Sequence, residues 1–503
     1  MKKILLTSLN AKYIHASLGL RYLYANLAEL QNQAKIREFT IHSRPSDIVE
    51  TILSESPSIV GFGIYIWNIN ETAAVVAQLR LLAPHITLIL GGPEISYEPL
   101  SHPISQDIDY ILTGPADISF YQLCQQITQG RAPIQKVINS APIKLHELEL
   151  PYTHYDAQDI AHRLIYVEAS RGCPFKCEFC LSALDKTAKP FDQETFLAAI
   201  DQLYQRGARH FKFVDRTFNL KVKNTLNILH FFLQRLSQDL FLHFEVIPDH
   251  LPDALKEVLV QFAPGQLQFE VGIQSFTPYV QEQINRKQNN EVSKKNLLWL
   301  RENTHAHIHA DLIFGLPGET LETFADSFNQ LVACRPHEIQ LGILKRLKGS
   351  PIIRHTQAFE LIFNPQPPYN ILSNKDVSFE TLQRVNRFAR YWDLIANSGR
   401  FSATLPLLLS SDPFNRFMSL SDWLYQQTGQ THKIHLKRLF TLIASAVAAL
   451  FAEQKKHLYT ALEQDFINNQ LKGSPLSSEL ETEAHLDSIS KRSLRQQRHR
   501  KEG

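Results

Sequence analysis

The sequence predicts an α/β protein in three parts: a doubly wound domain over residues 1–140, a partial (β/α)6 barrel over 164–350 and a mainly helical segment over 351–485. Three features predict it. Short, nearly all-apolar runs alternate with amphipathic stretches through the first 140 residues, the pattern of parallel strands covered by helices on both faces. A second alternation, of six strand–helix repeats, starts at residue 164 after a polar, proline-containing connector at 141–163. Beyond Leu347 the strand signal fades and helical periodicity remains.

In the first part the opening strand is residues 3–7. Its apolar run is too short for a signal peptide and reads as a buried strand. A polar loop over 10–15 leads into a helix at 19–30. Strands follow at 38–41, 59–64, 87–90 and 110–113, with helices at 48–54 and 70–82. Glycines stand at the carboxyl ends of these strands: Gly61 and Gly63, then Gly91 and Gly92, then Gly114. In a doubly wound sheet that edge is where a ligand sits.

In the second part strands are expected at 164–169, 210–215, 242–247, 266–273, 308–314 and 338–344. Helices separate them at about 193–206, 222–238, 252–262, 279–302 and 321–334. Barrels of this kind carry their chemistry on the loops after each strand. Polar residues fall there: Asp215 and Asn219 after the second strand, Glu245 in the third, Glu270, Gln274 and Ser275 at the fourth, Asp311 and Gly315 at the fifth, Lys345 and Lys348 after the sixth. Each alone has a plain structural reading, as a helix cap, a turn or half of an ion pair. The third part has helical patterns at 379–397, 432–451 and 455–471; between them Asp412 to Arg416 and Trp423 read as turn or core, the alternative being that they line a substrate site over the barrel mouth. The end, 486–503, reads as a basic, disordered, solvated tail.

Composition narrows the function classes. A formal net charge of +2, with 44% hydrophobic and 20% charged residues, is ordinary for a globular protein and gives no support to a nucleic-acid-binding surface, the basic tail being the one alternative place for a nucleic-acid arm. The longest apolar stretch, near 439–451, is too short to span a bilayer, so no membrane partner is expected. Five cysteines, three of them clustered, point to the reducing cytoplasm.

The clustered cysteines are Cys173, Cys177 and Cys180, directly after the first barrel strand. Three thiols on one tight loop cannot all pair as disulfides, but they can hold three corners of an iron–sulfur cube and leave its fourth iron open. The alternative is zinc, which wants four ligands, usually as two pairs. Cys124 and Cys334 are isolated, and the one nearby histidine, His162, lies upstream across the strand.

The C-x3-C-x2-C spacing after a strand resembles the radical S-adenosylmethionine (SAM) enzymes. The resemblance covers roughly residues 160–350 and implies a 4Fe–4S cluster on Cys173, Cys177 and Cys180 whose open iron chelates SAM. It further implies one-electron cleavage of SAM to a 5′-deoxyadenosyl radical. By the same resemblance Asp215 and Asn219 lie in the segment that contacts the SAM amino group, and Glu245, Glu270, Gln274 and Ser275 supply polar groups near its ribose and carboxylate. Gly315 lets backbone pass close to adenine, and Phe179 stacks near it.

The N-terminal glycines resemble the cobalamin-binding domain that precedes the radical domain in one class of these enzymes. That implies a cobalamin cradled by Gly61, Gly91, Gly92 and Gly114. The first loop departs from the cobalt-ligating Asp-x-His-x-x-Gly pattern: it lacks the aspartate, and His15 is followed by Gly19. Either cobalt has no protein ligand or the pocket is degenerate, and His15 is an ordinary loop histidine or a ligand.

The chain therefore resembles a cobalamin-binding radical SAM protein with an added helical C-terminal segment. The expected activity is that of a radical SAM enzyme, with methylation of an unactivated carbon as one reaction. Its substrate would be a small molecule or peptide, and its electron donor a flavodoxin or ferredoxin. The alternatives are a radical SAM enzyme without cobalamin or catalysing a rearrangement, and a non-catalytic zinc or cluster module. A methylthiotransferase would need a second cysteine triad upstream, and residues 1–123 contain no cysteine.

Overall fold

The computed structural model describes residues 3–476. The expected tail at 486–503 and the end of the expected helical segment lie outside the described residues.

The first part is a six-stranded parallel sheet, built in chain order as β1 (Ile4–Asn10), α1 (Leu18–Ala25), β2 (Ala34–Thr40), α2 (Pro45–Ser54), β3 (Ile59–Gly63), α3 (Ile69–Leu82), β4 (Thr87–Gly91), the single turn α4 (Pro93–Ser96), β5 (Tyr110–Thr113), α5 (Ser119–Thr128) and β6 (Val137–Asn139). The sheet order is β2-β1-β3-β4-β5-β6. Every residue of β1 is buried because its alternate side chains enter different cores. Leu5 and Leu9 join α2 and α3 on one face, whereas Ile4 and Leu6 join α1 and α5 on the other. This is the doubly wound arrangement that the apolar runs predict. The expected helix at 19–30 stops early: the backbone N–H and side chain of Asn26 both donate to the Tyr22 carbonyl, and a 3-10 turn follows.

The connector is more than a polar spacer. It holds α6 (Ala157–His162), closed by an Asp156–Asp159 capping box, and two buried tyrosines. The Tyr152 and Tyr155 hydroxyls donate to the Glu168 and Tyr166 carbonyls at 3.1 and 2.7 Å, fixing the first barrel strand.

The second part runs β7 (Ile165–Val167), a small antiparallel pair β8 (Ser170–Arg171) and β9 (Lys189–Pro190), α7 (Gln193–Gln205), β10 (His210–Phe213), α8 (Val222–Leu233), β11 (Phe241–Val246), α9 (Asp253–Leu259), β12 (Leu267–Gln274), α10 (Pro278–Gln283), α11 (Asn290–Asn303), β13 (His307–Phe314), α12 (Leu321–Ala333) and β14 (Glu338–Ile343). Six parallel strands in the order β14-β13-β12-β11-β10-β7 make an open, partial barrel. Strands β12 and β13 alternate strictly between buried and half-buried positions. Their apolar residues pack outward on the helices, and their inner face carries Glu270, Gln274, His309 and Asp311.

One expectation is corrected here. The continuous helix at 279–302 is broken, because Asn285 takes a left-handed φ of 52° and the Asn289 side chain caps a new helix through the Val292 N–H. The break frees residues 284–289 to reach the barrel mouth.

The third part opens on an antiparallel pair, β15 (Ile362–Phe363) and β16 (Ile371–Ser373), absent from the sequence expectation. The helices α13 (Phe379–Trp392), α14 (Thr404–Leu409), α15 (Pro413–Thr428), α16 (Leu436–Leu450) and α17 (Lys455–Asn468) follow. They have no separate core. Phe328 of α12 packs against Phe388, Trp392 and Phe414 at ring-centroid distances of 5.2, 4.8 and 5.8 Å, and one apolar cluster runs from the barrel to Phe466. Asp412 caps α15 and Phe414 is core, as turn-or-core residues should be.

Candidate active site

The cysteine loop hangs from β8. At its start Gly172 has φ +93°, and a Cβ there would lie 2.4 Å from the Thr187 carbonyl oxygen, so only glycine fits. Hydrogen bonds then shape the loop: the Cys173 N–H donates to Asp185 O at 2.9 Å and the Glu178 N–H to Ile284 O at 3.0 Å. Glu178, almost fully buried, is gripped by Arg354 and lies 3.5 Å from His355, so the segment after the barrel clamps the loop.

All three cysteines line one cavity of about 260 Å³. Cys173 and Cys177 are buried and Cys180 is half-buried. Burial pushes the Cys173 and Cys177 thiols up; the Arg286 guanidinium, 3.7 Å from the Cys177 sulfur, opposes this at Cys177, and the Phe175 backbone and Arg216 oppose it at Cys173. Phe175 and Phe179 supply apolar wall, and Arg216, Glu245, Glu270, Gln274, Arg286 and Asp311 supply polar wall. The lining has no fourth cysteine and no histidine; His162 closes α6 and is not part of it. Three thiols on one side of a cavity with polar groups opposite fit a cluster with one open corner, and they lack the fourth ligand that structural zinc wants.

The expected site residues divide. Phe179, Glu245, Glu270 and Gln274 line the cavity. Glu245 accepts from Arg216 at 2.7 Å. Glu270 accepts from His243 at 2.9 Å, which together with Lys212 outweighs burial and draws its carboxyl down to about 2. Gln274 holds a φ of 68°, and its buried Oε1 has no partner.

Asp215, Asn219, Ser275 and Gly315 do not line it. Asp215, with its carboxyl raised to about 7 by burial, accepts from the Ala169 N–H and the Ser170 hydroxyl at 2.9 and 2.6 Å. It braces the root of the cysteine loop. Asn219 is spent on both backbone groups of Ile247 and on the His250 carbonyl, which ties down the loop after β11. Ser275 is fully buried and accepts from the Thr277 N–H. Gly315 backs onto β16, since a Cβ there would lie 2.9 Å from Ile371. At Asp215, Asn219 and Ser275 the strand end is polar because the backbone beneath the site needs a partner.

Sequence reasoning missed Arg216, Arg286, Lys287 and Gln288. The last three come from the break between α10 and α11, which Asn285 and Asn289 could have signalled.

A second cavity, about 610 Å³, lies between the carboxyl edge of the first sheet and the cysteine loop. Gly61, Gly91, Gly92 and Gly114 all line it, and Glu168, Arg171 and Arg216 close it from the barrel side. A Cβ on Gly91 would meet nothing nearer than Leu112 O at 3.8 Å, so that glycine leaves open cradle. Gly92 differs: with φ +112° its Cβ would lie 2.5 Å from Ile64 O. Gly92→Ala is therefore expected to destabilise by about 1–3 kcal/mol, the cost of a side chain forced into strained backbone, and Gly91→Ala much less. Urea midpoints of the two variants check this.

His15 lines neither cavity. Its Nδ1 lies 2.8 Å from the Tyr166 hydroxyl and its backbone bridges to Leu164, so it docks the first loop on the barrel. No histidine, cysteine or methionine lines the 610 Å³ cavity.

Residues 4–123 match the B12 binding domain, 167–331 the radical SAM superfamily, and 357–502 a protein family of unknown function, DUF4080. An uncharacterized methyltransferase, PH0819, of Pyrococcus horikoshii is 25% identical over 238 residues, 42% of this chain and 51% of that protein. The cobalamin-dependent radical SAM methyltransferase TokK of Streptomyces tokunonensis is 20% identical over 339 residues, 57% of this chain and 47% of its own. The chain thus spans about half the length of these curated relatives. The radical SAM methyltransferase TsrM from Kitasatospora setae, solved with cobalamin and a [4Fe-4S] cluster, shares the fold at a TM-score of 0.60 and 15% identity, covering 93% of this chain and 100% of that one. This chain joins a B12-binding domain to a radical SAM domain, and the third segment belongs to neither. Among the described residues no helix is long and apolar enough to cross a membrane.

Proposed function

We propose that this protein is a cobalamin-dependent radical SAM enzyme and that its reaction is a methyl transfer. The reading places a 4Fe–4S cluster on Cys173, Cys177 and Cys180, SAM in the 260 Å³ cavity beside it, and cobalamin in the 610 Å³ cavity against Gly61, Gly91, Gly92 and Gly114. One observation carries it: Arg216 lines both cavities, so ligands in the two would stand on either side of a single guanidinium. Bound together, the three groups supply one-electron cleavage of SAM and carriage of a methyl group.

The protein's own residues bind, orient and shield. Glu245 fixes Arg216 through the 2.7 Å ion pair. Gln274 and Glu270 present acceptors to the ribose and amino-acid end of SAM, and Phe179 offers a ring to adenine. Asp215, Asn219, Ser275 and Gly315 act one layer back, holding the loops from which these groups project. Phe175 and Phe179 keep water from the cluster, as burial around such centres requires. The walls of the larger cavity offer cobalt no imidazole. The electron donor is a flavodoxin- or ferredoxin-type protein, and the setting is the cytoplasm.

Anaerobic reconstitution followed by incubation with SAM, reductant and hydroxocobalamin tests the reading. About four iron per chain, retained corrinoid absorbance and 5′-deoxyadenosine are expected. One zinc and no SAM cleavage would overturn it.

A further inference from the structure

A third cavity, about 650 Å³, adjoins the first: Phe179, Gln274 and Asp311 line both. Its floor is the inner face of β13 and the edge strand β14, and its far wall is α13, from the segment that matches the family of unknown function. That wall is firmly seated. Asn397 accepts from the Ile339 N–H and donates to the Ile339 carbonyl, at 3.0 and 3.1 Å, which covers the edge of β14.

Two cations line the mouth of the cavity, Lys345 just after β14 and Arg390 on α13, both exposed. Among the described residues neither side chain has an ion pair or a hydrogen bond. They stand close enough that partial burial and then the Arg390 charge push the Lys345 ammonium down. Two like charges facing one cavity, neither paired with a carboxylate, describe a place for an anion. The acids in the same cavity do not cancel them. The Glu338 carboxylate is turned to the His307 imidazole at 2.9 Å, and burial, then Glu270 and Glu245, push the Asp311 carboxyl up toward its neutral form. Asp393 and Glu338 face the same cavity, but among the described residues neither forms an ion pair with Lys345 or Arg390. At the opposite end, toward the cysteines, Asp311 Oδ1 is a buried acceptor without a hydrogen-bond partner, the His309 imidazole standing 3.4 Å from it.

We infer that this chamber is the substrate site and that the substrate is a small molecule carrying an anionic group, a carboxylate or phosphate, held by Lys345 and Arg390, with a hydrogen-bond donor reaching Asp311. The inference rests on the radical SAM reading, since it is the opening past Phe179 that would bring the substrate to SAM. A chamber of this size suits a ligand of metabolite dimensions. Lys345 and Arg390 are specificity residues here and touch no part of the cluster cavity.

The test is calorimetric titration of the reconstituted full chain with inorganic phosphate and, separately, with succinate, at fixed ionic strength. Saturable binding of at least one is expected, weakened about tenfold or more in Lys345→Gln/Arg390→Gln, the loss of one charge-assisted contact being worth about that factor. Phosphate alone, succinate alone or both identify the anion and each supports the site. No saturable binding, or equal binding by the double variant, overturns it. If the double variant does not fold, Arg390→Gln alone decides, because that side chain has no partner to lose. Iron content and 5′-deoxyadenosine are read on the same samples. Normal values with no anion binding sink this inference alone, whereas absent iron sinks the reading beneath it.

Discussion

Cys177→Ala is expected to abolish iron loading, from about four iron per chain to a trace, and with it all 5′-deoxyadenosine formation. A cubane held by three thiolates has no spare protein ligand, and the cavity lining offers no fourth cysteine or histidine to substitute. The fold should survive, because the side chain is small and its one polar contact is the 3.7 Å approach of Arg286. Arg286→Met makes the informative comparison. It leaves all three ligands in place but removes a positive charge beside one of them, so iron should still load while the reduction potential falls, since a nearby cation favours the more negative reduced cluster. Loading should also depend on pH. Burial raises the Cys173 and Cys177 thiols, so metal must displace protons from both, and reconstitution should weaken as pH falls. Iron analysis and spectroscopic redox titration separate the variants. Full iron in Cys177→Ala would mean that these thiols are not the cluster's ligands.

Much of this architecture was legible in the sequence because period and length are strong signals for buried parallel strands. All six barrel strands lie where apolar patterning puts them, and so do β3, β4 and β5. The cysteine triad and the four glycines were legible for a different reason: few residue types can do what those positions require, and the structure brings each set to one cavity. The polar strand ends were only half legible. Sequence shows that Asp215 and Glu245 both end strands, but not that the first turns back to brace Ala169 and Ser170 while the second faces the cavity. That choice depends on register against β7 and β12. Nor could periodicity show the break at Asn285 that delivers Arg286, because a helical pattern continues on both sides of it. The shared core beyond residue 351 was hidden too, since an amphipathic helix does not reveal which neighbour covers its apolar face.

Glu38→Ala is expected to cost about 3–5 kcal/mol, the range for stripping one partner from a buried ionic network. Glu38 on β2 pairs with Arg21 of α1 at 3.0 Å and with Arg163, just after α6, at 2.8 Å. Asp159 completes a quartet by pairing with Arg21 at 2.5 Å and with Arg163 at 3.4 Å. None of the four side chains is more than 10% exposed. Two cations and two anions balance; removing Glu38 leaves an uncompensated buried charge where the first domain meets the barrel. Asp47→Ala breaks a pair of the same chemistry, Arg44–Asp47, but both its side chains are at least half exposed, so its effect should stay within about 1 kcal/mol. Acid titration gives an independent check. Burial would raise the Glu38 carboxyl, but Arg21, Asn10, Ser17 and Arg163 overcome it and hold the group below its ordinary value. A carboxyl lowered in the folded state contributes stability above its unfolded pKa, and that contribution is lost as pH falls through the folded one. The native chain should therefore lose stability on acidification more steeply than Glu38→Ala, and the gap between their urea midpoints should close. If the two variants unfold at the same urea concentration at neutral pH, the quartet does not join the domains. Because the 610 Å³ cavity is walled by both domains, a loosened joint should also weaken corrinoid retention in Glu38→Ala while leaving iron content unchanged.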